Sequence, residues 1–405
     1  MSASLLSRIS ASSLHRVVRD IILDELQGTR GRSFSPPLPV GDERVELGPS
    51  GLDLDSLERF SLAARLNEFF AMHETGLEDN LLRARTTDRL VDVIREGLHV
   101  SAGSVGFRTG GTTADPRTIR HGTGELEEEV RVLAALLHDV ERVILTVPSH
   151  HIYGFLFGVL VPEFLQVPVV DARWSLLGGD SRPRTGDVIV SVPFLWEQLL
   201  PVIQRLPGGT GGVTSTAPLP EGLARRLAES PLERILEIYG SSETGGVGWR
   251  DDQAESFQLF PFWRRGESAP HLLERVGDTG TSTTRELPDR IRWIGDRRFL
   301  PLGRRDTVVQ VGGNNIDLDE LRRRILELEI SPAVEDCALR LDAPGERLRA
   351  CLVTDRAPTE EEQDRARHIL RSTLGDAEIP GELTWVRELP RSALGKRVDW
   401  KIPSR

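Results

Sequence analysis

The sequence predicts a multidomain α/β protein: a helical N-terminal region, an α/β middle part and a small α+β C-terminal part. Apolar residues recur at helical spacing through most of the first hundred residues, and short β-branched runs then alternate with helical segments. The chain of 405 residues, 39% hydrophobic and 28% charged, is long enough for two or three globular domains. Boundaries near 100 and 303 follow, giving parts 1–100, 101–303 and 304–405. In the first part LHRVVRDIILDEL, LDSLERFSLAARLNEFF and DRLVDVIREGL are amphipathic, and the Pro/Gly-rich stretch RGRSFSPPLPVGDE links the first two. In the second, RVILTVP, DVIVSVP and RILEIYG have the composition of buried strands in a sheet that is at least partly parallel.

Composition excludes several functions. A net charge of −11 argues against general nucleic-acid affinity, since nothing would offset phosphate repulsion. The longest apolar stretch, 153–170, is interrupted by Pro162, Glu163 and Gln166, and MSASLLSRIS lacks the apolar core of a signal peptide, so a cytoplasmic protein without a membrane partner is expected. Cys337 and Cys351 are too few for a disulfide framework or a cysteine-built zinc site and read as buried thiols.

Of 51 basic residues only Lys396 and Lys401 are lysines. An ammonium is a compact point charge where a guanidinium is a wide fork, so Lys396 in LPRSALGKRVDW suits a gap between two anionic groups. Tyr153 and Tyr239 are the only tyrosines, by chance or by function. Three glycine/hydroxyl loops suggest phosphate chemistry. FRTGGTTADPRTIRHG (107–122) offers backbone N–H groups and hydroxyls that could wrap a polyphosphate while Arg108, Arg117 and Arg120 offset its charge, though alone it reads equally as a hairpin. GGVTSTAPLP (211–220) is the second. The third, YGSSETGG (239–246), leaves the apolar run ILEI at the end of a strand, where open α/β sheets bind ligands.

Together these motifs resemble the acyl-adenylating superfamily of acyl-CoA synthetases, aryl-CoA ligases and adenylation domains. TGGTTADPR is similar to its phosphate loop, T-S-G-[ST]-T-G-x-P-K, with Thr109, Gly111, Thr112, Thr113 and Pro116 in place. His151 to Gly154 (HIYG) resembles the gate beside the acyl pocket, YGSSE the family's [YF]-G-x-T-E, GRRD its hinge, and PRSALGK the motif of the catalytic lysine. The resemblance implies a reduced α/β adenylation core and a small mobile α+β domain, acting on ATP, Mg²⁺ and coenzyme A. A carboxylate attacks the α-phosphate, pyrophosphate leaves, and a thiol then takes the acyl group. Lys396, Glu243 and His151 would be catalytic, and Glu243 would also hold Mg²⁺. Thr109, Gly111, Thr112, Thr113, Arg117, Thr216, Ala217, Tyr239, Gly240 and Ser242 would bind ATP, with Asp289 on the ribose, Arg304 beside it and Asp306 as the hinge.

The sequence departs from the pattern in two places. Gly110, Ala114 and Arg117 replace the loop's serine, glycine and lysine, which removes a hydroxyl and stiffens the loop. Only 106 residues, helical in character, precede Phe107, where the family usually carries over a hundred more of α/β structure. Within them GLDLDSLERF is similar to the D-S-L helix start of acyl carrier proteins. Ser56 would then be a phosphopantetheine site, or else simply a helix cap, with Asp55 and Glu58 favouring the helix's positive end.

The chain looks most like the short bacterial 4-coumarate–CoA ligases that supply the chromophore thioester of photoactive yellow protein. Gly245 and Gly246 would leave room for a flat ring faced by His151, Tyr153 and Tyr239, although small residues there could equally reflect crowding around ATP. The expected activity is conversion of an aromatic acid, 4-coumarate, to acyl-AMP and its transfer to CoA. The alternatives are an aryl-acid–acyl carrier protein ligase that loads its own N-terminal region, and a non-catalytic acyl-nucleotide-binding relative. An acyl carrier protein or a chromophore-accepting protein would be the macromolecular partner.

Overall fold

A computed structural model describes residues 4–30, 44–108, 117–175, 177–206, 208–251, 255–276, 282–305, 307–311, 314–341 and 347–391. They fall into two compact units. One takes in the described residues through Arg265 and those of 273–285; the other takes in 266–272 and 286–391. The expected boundary near 100 is therefore no unit boundary, and 286–303, expected in the core, belong to the second unit.

The first unit opens with helices α1 (Ala11–Arg30), α2 (Ser56–Phe70), α3 (Glu78–Arg83) and α4 (Thr87–Val100). α1 buries Leu14, Val17, Val18, Ile21 and Ile22, one stripe of a 3.6-residue repeat. α2 is capped by Asp55, which accepts the Glu58 N–H at 2.8 Å while the Glu58 carboxylate accepts the Asp55 N–H at 3.1 Å. The cap is thus Asp55, and Ser56 is an exposed first-turn residue.

Strands β1 (Ser104–Arg108) and β2 (Thr118–Gly122) form an antiparallel hairpin, followed by α5 (Thr123–Leu136). Next come β3 (Arg142–Leu145), α6 (Ile152–Phe155), a π-turn into α7 (Val161–Leu165), β4 (Val169–Asp171), β5 (Asp187–Ser191), α8 (Pro193–Ile203), β6 (Thr210–Thr214), α9 (Glu221–Ala228), β7 (Leu232–Ser241), β8 (Gly245–Asp251), β9 (Phe257–Leu259) and β10 (Trp263–Arg265). β4, β3, β5, β6 and β7 lie side by side and parallel, and β8 and β9 extend the sheet antiparallel. β5 is buried along its whole length, which is why DVIVS reads as a continuous apolar run instead of alternating. Ile144, Ile189 and Ile235 from three strands pack on Trp196, Leu199, Ile203, Leu223 and Leu227 of α8 and α9.

In the second unit Asp289–Ile294 pairs with Arg298–Arg304, and Val308–Val311 with Asn314–Asp317. Helices α10 (Leu318–Leu326) and α11 (Glu360–Thr373) share a core with a three-stranded sheet of Val334–Arg340, Arg349–Thr354 and Glu382–Val386. Cys337 and Cys351 are buried, free thiols there, as composition predicts. Among the described residues no helix is long and apolar enough to cross a membrane.

Candidate active site

In the parallel sheet the HHIYG turn follows β3, the STAPLP loop follows β6 and the SSETGG loop follows β7, so all three leave its C-terminal edge. Hydroxyls stitch that edge together. Tyr153 Oη donates at 2.9 Å to the carbonyls of both Ser191 and Val213, Thr146 Oγ1 donates to Val190 O at 2.9 Å, and Ser215 Oγ donates to Ile238 O at 2.8 Å. Tyr153 is buried and its phenol is taken up by two strand carbonyls, so the group expected to face the acid acts as a strut between β5 and β6.

Thr109, Gly111, Thr112 and Thr113 lie outside the described residues, as do Asp306 and Lys396. The hairpin that carries the first four is held at its neck. Arg108 and Thr118 pair across it, and both reach Glu68 of α2: Arg108 Nε donates to Oε2 at 3.0 Å and Thr118 Oγ1 donates to Oε1. Arg108 Nη1 also donates to Glu25 of α1 at 3.1 Å. Arg108 was expected to offset phosphate charge, but two carboxylates engage its guanidinium. Burial alone would raise Glu68, yet the Thr118 hydroxyl and Arg108 hold it below its usual range. Arg117 stands exposed just ahead of β2.

The SSETGG loop is fixed from within and from without. Inside it, Thr244 Oγ1 accepts the Ser241 N–H at 3.2 Å and donates to Gly245 O at 2.9 Å. Outside it, His121 Nε2 donates to Ser242 O at 2.7 Å, Glu129 Oε1 accepts the Gly246 N–H at 2.8 Å, and Trp263 Nε1 donates to Gly246 O at 2.8 Å. A carbonyl only accepts, so His121 carries its proton on Nε2, and burial keeps the ring below its ordinary pKa. Burial also pushes Glu129 up to about 7 against the pull of Arg275 and the Gly246 N–H. Gly245 has φ +70°, and a side chain at Gly246 would come within 2.4 Å of Glu129 Oε1 and 2.8 Å of Phe260. Both glycines thus have a reason besides the expected room for a flat ring. Ser242 is half-buried and Glu243 is exposed, while Tyr239 and Gly240, half-buried at the end of β7, lead into the loop.

On the other side, Asp20 of α1 grips the HHIYG turn. One of its oxygens accepts the Ser149 N–H and Oγ–H, both at 2.6 Å, and the other accepts Arg173 Nη2 at 2.6 Å. Burial alone would raise Asp20, but Arg173 and then Arg19 hold it below the usual carboxylate range. His151 is half-buried, with its ring 4.2 Å from that of His150. His150 is buried, neither ring nitrogen has a hydrogen-bond partner among the described residues, and its nearest carboxylate, Asp24, is 3.7 Å away. Burial pushes His150 down to about 4.

Thr216 has φ +77°, unusual for a β-branched residue, and its buried hydroxyl has no hydrogen-bond partner among the described residues. Ala217 beside it is exposed. In the second unit Asp289 pairs directly across from Arg304, the neighbour expected for it.

Sequence reasoning missed His121, Glu129 and Asp20. Glu129 sits in an acidic run that reads as a solvated face, yet it falls on the stripe of Leu126, Val130 and Leu133, and that position was a usable signal.

No family model matches the chain. It is 34% identical over 395 residues to a 4-coumarate–CoA ligase of Halorhodospira halophila, covering 96% of this chain and 99% of that one. A 4-coumarate–CoA ligase of Cereibacter sphaeroides is 36% identical over 358 residues, covering 86% and 84%. Among solved structures, ATP-bound MatB from Rhodopseudomonas palustris superposes with a TM-score of 0.61 over 96% of this chain and 90% of that one, at 17% identity. The O-succinylbenzoate coenzyme A synthetase MenE of Bacillus subtilis, in complex with ATP and magnesium ion, gives a TM-score of 0.56 over 72% and 68%, at 19% identity. These define an AMP-forming acid–thiol ligase, an enzyme that adenylates an acid with ATP before passing it to a thiol. Within that class, the chain belongs to the family of 4-coumarate–CoA ligases.

Proposed function

We propose that this ligase activates 4-coumarate, or a close hydroxycinnamate, and passes it to coenzyme A. The observation that supports it best is the descent of the His151 turn, the Thr216 loop and the Ser242–Glu243 loop from one edge of one sheet, in a chain whose relatives bear that activity in their names. The acid lies on the His151 and Tyr239 side, next to Gly245 and Gly246. The nucleotide lies along Thr109, Gly111, Thr112, Thr113, Arg117, Thr216, Ala217, Gly240 and Ser242, with Asp289 and Arg304 on its ribose. Among the described residues no cluster of three ligating side chains exists, and one exposed carboxylate, Glu243, suits Mg²⁺, which takes few protein ligands and several phosphate oxygens. When bound, that ion would neutralise developing phosphate charge. Lys396 would supply the ammonium that offsets charge as the carboxylate attacks the α-phosphate, and Asp306 would be the hinge residue.

The test is exchange of labelled pyrophosphate into ATP across cinnamic, benzoic and fatty acids. Exchange with 4-coumarate above all others is expected; exchange with none would leave a nucleotide-binding protein. Lys396→Ala should slow adenylation by on the order of 100- to 1,000-fold and largely spare thioester formation from synthetic coumaroyl-AMP, while Lys396→Arg should rescue poorly.

A second acceptor reading rests on Ser56, exposed on the first turn of α2 beside Leu57, which is 78% exposed. Co-expression with a phosphopantetheinyl transferase would add one arm to the intact mass and lose it in Ser56→Ala. An unchanged mass with CoA turnover assigns the acceptor to CoA.

A further inference from the structure

We infer that His121 and Glu129 are positioning residues, which set the place of Ser242 and Glu243 for the nucleotide. The inference rests on the adenylating role proposed for that loop. His121 Nε2 holds the carbonyl of Ser242 itself at 2.7 Å, and Glu129 Oε1 holds the Gly246 N–H at 2.8 Å, three residues beyond Glu243. The two close on the same point. A side chain at Gly245 would meet Glu129 Oε2 at 2.7 Å and His121 Cε1 at 3.8 Å. Trp263 completes the grip through Gly246 O, and Arg275, whose guanidinium donates to Glu128 on α5, supplies charge to the Glu129 carboxylate.

The clamp belongs to a single stretch of chain. β2 emerges from the phosphate-loop segment, begins at Thr118 with a hydrogen bond to Glu68, presents His121 three residues later, and runs into α5, which presents Glu129 two turns on. One strand and one helix therefore join the neck of the phosphate loop to the loop bearing Ser242 and Glu243. A neutral residue would fill a core at lower cost than a fully buried carboxylate. A carboxylate accepts a stronger hydrogen bond from the backbone N–H and so fixes the loop more tightly.

The test uses the full chain with Glu129→Ala, His121→Leu, Glu129→Gln and Glu129→Asp. Binding of Mg·ATP is followed by calorimetry without acid, and exchange kinetics with 4-coumarate are measured beside melting curves. Glu129→Ala and His121→Leu should weaken Mg·ATP binding by about 10- to 100-fold, the usual effect of losing the partner that orients a ligating group. They should raise the KM for ATP far more than that for the acid. Glu129→Gln, which keeps an acceptor in place, should recover most of the binding. Where the truncations do not fold, Glu129→Asp decides: it keeps the charge, draws the acceptor back by one methylene and should also weaken Mg·ATP. Lowered melting temperatures with unchanged Mg·ATP affinity of the folded protein would overturn the inference. Tight Mg·ATP binding by the wild type without exchange on any acid would sink the adenylation reading instead, with the calorimetric contrast still deciding this one.

Discussion

The SSETGG loop and the HHIYG turn leave the same edge of the sheet but are held in opposite ways. The first is clamped by short polar contacts from inside the core: a neutral histidine, an indole and a carboxylate on backbone groups. The second is pinned by a buried charge, Asp20, which belongs to the N-terminal helix and binds Ser149 and Arg173, while the next residue along, His150, keeps both nitrogens without partners among the described residues. The SSETGG loop is thus fixed in place by the core itself. The HHIYG turn depends on α1, and the β1–β2 hairpin depends on Glu25 of α1 and Glu68 of α2. The helical N-terminal region is thus part of the scaffold of both.

Breaking the charged hub should have the largest effect. Asp20→Ala leaves the Ser149 N–H and hydroxyl without their buried acceptor and Arg173 with Asp171 alone, and should cost about 3–5 kcal/mol in denaturant unfolding, with Asp20→Asn intermediate. A loss below about 1 kcal/mol would mean that α1 merely rests on the turn.

The two sides should also titrate in opposite directions. Glu129 is raised from 4.5 to about 7, so the stability it lends is fully present below pH 4.5 and is lost as pH rises to about 7. At 1.36 kcal/mol per unit the swing is about 3 kcal/mol, and Glu129→Gln should abolish it. His150 is lowered from 6.5 to about 4, so its contribution is present above pH 6.5 and fades as pH falls toward 4. Unfolding curves of His150→Leu should lose that acid-side dependence alone. Identical pH profiles for the two variants would erase the distinction.

A smaller effect sharpens the same contrast. Tyr153→Phe removes one donor from two buried carbonyls and should cost about 1–3 kcal/mol in stability while the KM for 4-coumarate stays near wild type. A large rise in that KM would return Tyr153 to the acid pocket.

The elements were legible where burial is one-sided or continuous. LHRVVRDIILDEL became the α1 stripe, and DVIVS and RILEIY became central parallel strands, because spacing alone decides such segments. The loops were legible through small residues clustered at strand ends. What stayed hidden were partners supplied from far along the chain. Nothing near Arg108 announces Glu25 and Glu68, nothing near Gly246 announces Glu129, and Tyr153 looked like a pocket residue because its carbonyl partners are backbone atoms without sequence identity. The expected break near residue 100 failed for the same reason: contacts such as Asp20 with Ser149, 129 residues apart, fuse the helices to the sheet.

The most direct measurement is a single-turnover reaction of the wild-type protein with ATP, Mg²⁺ and 4-coumarate, quenched and read by mass spectrometry first without and then with coenzyme A. Coumaroyl-AMP should build up to about one equivalent per enzyme when the thiol is withheld and convert to coumaroyl-CoA when it is added. Unchanged 4-coumarate and ATP in both reactions, from protein shown to be folded, would contradict the account.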